Sequence, residues 1–337
     1  MIGLNLDDYT LSSSLPESFD ITGVLDDYVE VSITLQGECV YSTRLYMNNG
    51  SCTFYELRQI VEENMIARRL PLAAIEISVV YDGSEDLIED KYIIFSRYRN
   101  TAYSDIDFLE SHFLVNRTYL TIPRELSANL PFFATANENF SIYYACVFEK
   151  DGIIGQYRLE YSTYHYQRPN IYVIPIGPNS IKAMADNAED EDCGKLLSFT
   201  VHAGSREMKV FVMDEKPSIS FFFLNSYNVT ETMFVMGTTS FETKITRKEA
   251  VTQNITSFYD KSVSRKWEVE TIALTQEEAV WYNEFLESDY VTLNMSQEHN
   301  ALRILISDIT SEISNSSKKS VHIKFSWRFD DDSYWIT

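Results

Sequence analysis

Five histidines, four cysteines and a few acid-rich stretches are the residues of this chain whose types could do chemistry. The histidines are His112, His165, His202, His299 and His322, and no two of them stand two, three or four residues apart. A local pair of imidazole ligands for a metal is therefore missing. His165 in "TYHYQ" and His322 in "VHIKF" fall within alternating patterns and read as sheet or surface residues. Cys39, Cys52, Cys146 and Cys193 show no Cys-x-x-Cys spacing and are expected to be reduced, mostly buried thiols. A Cys39–Cys52 bridge would need an oxidising compartment. The run Asp330-Asp331-Asp332 offers carboxylate oxygens of the kind Ca²⁺ takes. Successive strand residues point to opposite faces, however, and no EF-hand spacing follows, so the run reads as a solvated turn. "AEDEDCG" reads as a solvated charge run, with an electrostatic docking loop as the rival reading.

A sharper question is posed by "SISFFFLNSYNVTETMFVMG", Ser218 to Gly237. Two apolar bursts, Phe221 to Leu224 and Met233 to Met236, flank a polar patch with one acid, Glu231. Asn225, Ser226 and Asn228 are turn formers. Glu231 has no histidine, cysteine or second acid beside it in sequence, so a strand–turn–strand unit is expected rather than an active site. Four apolar residues in a row imply a strand covered on both faces, by its own domain or by another subunit. Elsewhere the chain lacks a Gly-x-Ser-x-Gly elbow and both glycine-rich phosphate loops. The expectation is a protein that is not an enzyme and holds no cofactor or metal.

The elements that must position these residues follow from composition and periodicity. The chain has 337 residues, 22 Tyr, 20 Phe, few Gly and Pro, and a net charge of −22. Aromatic and β-branched residues suit pleated, half-buried surfaces. The acidic balance opposes binding to nucleic acid or to an anionic membrane. The first residues lack a basic start and an apolar core, so no signal peptide is expected. Val29, Val31, Ile33 and Leu35 alternate as in a half-buried strand, whereas Phe54, Leu57, Ile60, Val61 and Met65 have helical spacing. Ser104 before two aspartates predicts a short helix, Lys150-Asp151-Gly152 a hairpin turn, and Thr275 with Glu278 a capping box. The fold class expected is mainly β, with β-sandwich or barrel-like domains and two or three isolated amphipathic helices. Three regions are expected: an acidic arm or docking strand over 1–25, a β-rich domain over 26–214, and a C-terminal β domain over 218–337. The β-rich domain has a helix near 54–68 and an acidic loop at 186–194, and the C-terminal domain has a helix near 276–286.

Two surface features remain. Lys244, Arg247, Lys248, Lys261, Arg265 and Lys266 cluster in an otherwise acidic chain. They read either as dispersed surface cations or as a positive face suited to head-to-tail assembly with an acidic one. Together with Phe221, Phe222 and Phe223 they are the candidate subunit-interface residues. The tyrosines of "STYHYQRPNIY" give a carbohydrate-binding or adhesin module as the alternative function.

The stretches "FLNSYNVTETMFVMGTTSFETKITRKEAVTQ", "KWEVETIALTQEEAVWYNEFLESDYVTL", "VHIKFSWRF" and "DIDFLESHFLVNRTYLTIPRELSANLPFF" resemble tail or baseplate structural proteins of tailed bacteriophages, of the kind in phages and prophages of Bacteroides-type bacteria. The likeness covers about half the chain and lies in strand–turn and helix patterns without chemistry. It implies a virion component near the tail tip or tail–fibre junction, distal-tail-like in architecture and made in the host cytoplasm. Its partners would be copies of itself and other tail proteins. A distal-tail protein would begin with a tube-forming domain, where this chain has its acidic first 25 residues.

Overall fold

The computed structural model describes residues 2–99, 101–135, 138–165, 167–252, 255–294, 302–311 and 321–331; His299 and Asp332 lie outside them. Strands hold 58% of the structure and helices 15%, which makes the fold mainly β. Three separate hydrophobic cores divide it into three units, and the span 26–214, expected as one domain, contains parts of two of them.

The first unit comprises β1 (Tyr9–Leu11), β2 (Ser18–Thr22), β3 (Tyr28–Leu35), β4 (Glu38–Tyr46), β5 (Ser51–Tyr55), α1 (Leu57–Arg68), β6 (Leu72–Tyr81) and β7 (Ser84–Ile94). Its main sheet runs β1-β7-β6-β3-β4, with β2 and β5 paired apart from it. Alternation puts Val29, Val31, Ile33 and Leu35 in the core, and α1 adds Leu57, Val61 and Met65. Phe54 belongs to β5 rather than to the helix. The first 25 residues are not a free arm. Leu6, Leu15, Phe19, Ile21 and Val24 enter this core, and β1 extends the sheet parallel to β7. Spaced apolar residues among the serines and acids pull the segment in.

The second unit comprises α2 (Asp105–Ser111), β8 (Tyr119–Pro123), β9 (Ala128–Ala134), β10 (Asn139–Lys150), β11 (Ile153–His165), β12 (Asn170–Ile176), α3 (Pro178–Glu189), β13 (Lys195–Ala203) and β14 (Arg206–Met213). A five-stranded sheet, β11-β10-β13-β14-β8, shares one core with the β9–β12 pair. Ser104 caps α2 by accepting from the Asp107 N–H at 3.2 Å, and Lys150 pairs with Ile153 across the expected hairpin turn. The acidic loop expected at 186–194 is helical through Glu189, making four α-helices among the described residues. Ile181 and Ala185, one turn apart, dock on the core, and Pro178 starts α3, where a missing N–H costs nothing. Arg206 is fully buried, donating to the Leu109 and Phe133 carbonyls at 2.8 and 2.6 Å and pairing with Glu138 at 3.2 Å. It thereby satisfies a carbonyl orphaned at the end of α2.

The third unit comprises β15 (Ile219–Leu224), β16 (Thr230–Val235), β17 (Gly237–Thr252), β18 (Ile255–Thr271), α4 (Gln276–Leu286), β19 (Val291–Leu293), β20 (Leu302–Ser311) and β21 (Ile323–Phe329). Its sheet order is β16-β15-β19-β20-β21-β18-β17. The two edge strands, β16 and β17, are joined by Met236 alone, so the sheet must curl until its edges meet there. The barrel-like interior is filled by Phe221, Phe223, Phe325 and Trp327 against Phe285 of α4; the Phe221 and Phe285 rings lie 5.4 Å apart. Both bonds of the Thr275–Glu278 capping box start α4.

The closing corner is sterically tight. A Cβ on Gly237, whose φ is +150°, would sit 2.1 Å from the Glu270 carbonyl oxygen. Gly237→Ala should therefore destabilise the protein by clearly more than the ~1–2 kcal/mol of a backbone penalty alone. Gly83→Ala, at φ +71° with open space around it, should cost only the left-handed backbone penalty of ~1–2 kcal/mol. Urea unfolding of both variants checks the contrast, and equal losses would refute the steric reading.

Candidate functional site

The polar patch of Ser218–Gly237 does join two strands, β15 and β16, as its turn residues predict. It is not a surface turn. Asn225, Ser226, Asn228 and Glu231 are all buried, at a point where the three units meet. Glu231 is 1% exposed and projects from β16 between β8 and α4. Its Oε1 lies 2.7 Å from the Arg117 guanidinium and accepts from Trp281 Nε1–H at 2.9 Å. Its Oε2 accepts from Asn225 Nδ2 at 3.1 Å. The Arg117 guanidinium also lies over the Trp281 ring, 3.7 Å from its centre.

The loop 225–229 is held by side chains from every direction. Asn225 Oδ1 accepts from the Tyr227 and Val229 N–H groups, an Asx-type closure, while its Nδ2 donates to the Leu114 carbonyl at 2.8 Å. Asn228 donates toward the Met65 and Leu70 carbonyls at the end of α1. Ser226 accepts at its carbonyl from the Arg97 N–H, at 2.9 Å, and donates its own N–H to Glu284 Oε1 at 2.6 Å. Asn116 donates to Ser226 Oγ and to Glu284 and accepts from the Tyr227 hydroxyl. Tyr227 and Val229 join Leu11, Ile94, Leu109, Leu114 and Phe133 in an apolar cluster that draws on all three units.

Two carboxylates and one guanidinium share this low-dielectric space. Burial, and then the charge of Glu231, push the Glu284 carboxyl up to about 7. Burial lowers the Arg117 pKa against the opposing pull of Glu231 and Glu284. Protonation of Glu284 leaves one anion facing one cation, the balanced arrangement for a buried cluster. A cavity of about 120 Å³ adjoins it, lined by Arg117, Phe234, Met236, Leu274, Trp281 and Tyr282 among others. Each oxygen of Glu231 is taken up by protein donors, so this acid acts as a structural anchor, not as a base presented to a substrate.

The other candidate residues lie apart from this cluster. His112 stacks on Phe108, His202 stacks on Tyr143, His165 bonds Asn139, and His322 meets the Thr271 carbonyl. Among the described residues no group of three His, Cys, Asp or Glu is arranged to hold a metal. Cys39, Cys52, Cys146 and Cys193 are unbridged, and burial pushes the Cys146 thiol up to about 12. Tyr164 and Tyr172 pack against the second core instead of lining one open face. No helix is long and apolar enough to cross a membrane.

The candidate interface residues divide sharply. Phe221 and Phe223 are core, which removes them as contact residues; Phe222 is half-buried and lines a groove with Leu126, Ser127 and Asn129 of the second unit. The strand is thus fully covered on one face only, and its other face, with Ser220, Phe222 and Leu224 half-buried, borders that groove. By contrast Lys244, Arg247, Lys248, Lys261, Arg265 and Lys266 all lie on the β17–β18 hairpin. It pairs from Gly237↔Thr271 out to Thr252↔Ile255, with one bulge where Lys248↔Asp260 gives way to Glu249↔Phe258. Among the described residues only Trp267 to Glu270 of β18 meet a further strand, β21. Beyond Trp267 the two strands run roughly 35 Å without a third partner among the described residues. Cross-strand pairs Phe241–Trp267, Ile245–Val263 and Arg247–Lys261 share one face, and Phe258 joins it beyond a bulge, under Arg247 at 5.2 Å. Phe241, Ile245, Val251 and Phe258 are all exposed, Val251 by 70%. The opposite face carries Glu242, Lys244, Thr246 and Lys248.

No family model and no curated protein matches this chain. Among solved structures it is distantly similar to native E. coli alpha-2-macroglobulin, at 6% identity and a TM-score of 0.19, over 80% of this chain and 21% of that one. It is likewise similar to the Plexin A4 extracellular region, at 8% identity and a TM-score of 0.21, over 98% of this chain and 39% of that one. The chain spans well under half the length of either, and likenesses this low define no common fold.

Two predictions follow from the buried cluster. Removing one partner of the Arg117–Glu231 pair strands the other as a buried charge, at a cost of about 3–5 kcal/mol. Glu231→Leu and Arg117→Met should each show this loss by urea denaturation, and the double variant should recover most of it. Additive losses would show that the two residues act independently. The second prediction concerns Glu284. Its folded pKa of about 7 lies above the ordinary 4.5, so between those values the folded chain keeps a proton that the unfolded chain has lost. The stability contributed by Glu284 is complete below pH 4.5 and is lost as pH rises through 7. Glu284→Gln, which cannot ionise, should flatten the wild-type decline in unfolding midpoint between pH 5 and pH 8. An unchanged slope would remove Glu284 as its source.

Proposed function

We propose that this chain is a non-enzymatic structural protein of a phage tail that assembles with copies of itself and with other tail proteins. Its place would be a ring or adaptor at the tail tip or tail–fibre junction of the virion, after synthesis in the host cytoplasm. The observation that carries the reading is the β17–β18 hairpin. A two-stranded ribbon alone is marginally stable in water, and an exposed apolar strand pair with free edges invites pairing. A chain that projects such a ribbon, with aromatic and aliphatic side chains outward, fits a protein whose working state is assembled. Support comes also from the buried polar junction, which suits a rigid building block, and from the resemblance of the 223–253 and 266–293 stretches to tail proteins.

Sedimentation velocity over a concentration series tests this reading. The intact chain should form discrete oligomers, visible as rings or short stacks in negative-stain micrographs. A variant with residues 243–265 replaced by a two-residue Asn-Gly turn should stay monomeric while keeping its far-ultraviolet circular dichroism. An intact chain that stays monomeric at the highest attainable concentration would overturn the proposal.

A further inference from the structure

The hairpin carries a chemical description of what would cover it. Its exposed face combines Phe241, Ile245 and Phe258 with Arg247, Lys261 and Arg265. The complement is a surface that is apolar and acidic together, and the first unit of the same chain presents one. The outward face of its main sheet aligns Tyr46 with Tyr28, and Glu30 with Val80 and then Glu85, across neighbouring strands. Tyr28, Val80 and Leu87 are all exposed there, and Tyr46 is 75% exposed. A groove of about 470 Å³ lies at one end of this face, where the start of β3 meets the β6–β7 turn, with Tyr28, Val80 and Tyr81 beside Asp26, Asp27 and Asp82. Arg44 pairs with Glu30 at 2.6 Å, but the carboxylates of Asp26, Asp27 and Asp82 have no cationic partner among the described residues. The acidic turn at Asp190–Asp192 is a poorer receptor. Lys182 already pairs with Asp192, Lys150 already pairs with Glu191, and no large apolar side chain lies in that turn.

We infer that the β17–β18 hairpin of one copy docks in the Asp26–Asp82 groove of a second copy, Phe241, Ile245 and Phe258 meeting Tyr28 and Val80 while Arg247 and Lys261 face Asp26, Asp27 and Asp82. This deepens the self-assembly reading and rests on it. The contact is heterologous, since the hairpin and groove are different surfaces, so a docked pair keeps one free hairpin and one free groove for the next copies. Like-charge contacts across such an interface cost several kcal/mol.

Charge reversal on each side separates the inference from the reading beneath it. Arg247→Glu with Lys261→Glu removes the hairpin's charge; Asp26→Lys with Asp27→Lys removes the groove's. Each pair of changes should weaken self-association at least ~100-fold in sedimentation equilibrium. A one-to-one mixture of the two variants should restore oligomers in which the variants alternate, because wild-type hairpin meets wild-type groove and reversed hairpin meets reversed groove. A chain with all four changes should regain oligomers of wild-type size. Circular dichroism of each variant, matching wild type, keeps loss of assembly distinct from loss of folding. If the groove variant assembles like wild type while the hairpin variant does not, the receptor is misplaced but self-assembly stands. If wild type itself is monomeric, self-assembly falls with it. Tight binding of the hairpin to a labelled DNA duplex at physiological salt, lost in the hairpin variant, would overturn the inference in favour of a nucleic-acid partner.

Discussion

The placement of one cation, Arg117, conditions much of the remaining architecture. It lies just before β8 in the second unit, yet its charge is answered by Glu231 on β16 and its flat face by Trp281 on α4, both in the third. Removing a guanidinium and a carboxylate from water costs several kcal/mol per ion, and their attraction repays that only when further hydrogen bonds satisfy what is left. For Glu231 those bonds come from Trp281 and Asn225, and Asn225 is itself fixed by the Leu114 carbonyl and by two N–H groups of its own loop; Arg117 Nε is buried without a hydrogen-bond acceptor among the described residues, and the guanidinium rests on the Trp281 ring. A sliding or rotation of the units would break several of these bonds together. The cluster thereby turns a packing contact into a directional one, which an apolar seam of the same size would not do. An apolar cluster of Leu11, Ile94, Leu109, Leu114, Phe133, Tyr227 and Val229 packs the neighbouring junction, so Tyr227 and Val229 of the same loop are held by apolar contacts from all three units.

How far this was legible in the sequence depended on how local the signal is. Strand alternation from Val29 to Leu35, the Ser104 and Thr275 caps and the Asp151-Gly152 turn are written within a few residues of one another, and each appears where its pattern places it. The β15–turn–β16 unit was legible for the same reason. The burial of its turn was not, because Asn225 and Ser226 find their partners in Leu114, Asn116 and Glu284, far away in the chain. Turn-forming residues look alike whether their side chains meet water or another unit. The helix α3 was hidden by charge: acids crowd its C-terminal end, and only Ile181, Met184 and Ala185 betray a buried stripe. The first 25 residues misled in the same way, since serines and acids are interspersed with the apolar residues that tether the segment. Leu11 N–H and Ser14 Oγ both donate to Asp105, a tie across units that no local pattern announces.

The basic cluster was legible as a cluster but not as a shape. Lys244, Arg247 and Lys248 are close in sequence to one another, and Lys261, Arg265 and Lys266 likewise; pairing β17 with β18 superimposes the two groups on one ribbon. Barrel closure explains why a ribbon exists at all. Met236 and Gly237 must turn the chain where the sheet edges meet, and β17 and β18 then leave that seam together, longer than any strand available to flank them. Lys266 is tied to Asp308 of β20 at 2.8 Å, so the ribbon is anchored at its base.

The charges on that ribbon also bear on the kind of assembly it can make. Two free-edged ribbons with apolar faces would ordinarily pair with each other, giving a symmetric dimer and ending growth. Here the part beyond Trp267 carries Lys244, Arg247, Lys248, Lys261, Arg265 and Lys266 against Glu242, Glu249 and Asp260, with Glu268 and Glu270 nearer the base, so contact between the outer halves of two ribbons brings like charges together. The same charges are attracted by the rest of a chain whose net charge is −22. Repulsion thus opposes the self-complementary contact, and attraction favours a contact between unlike surfaces. An unlike contact leaves a free ribbon at one end and a free acidic surface at the other after every addition. Whether such growth closes into a ring or continues as a stack is set by the angle between ribbon and body. That angle is held by the curled sheet at Gly237 and by the buried ion cluster behind it.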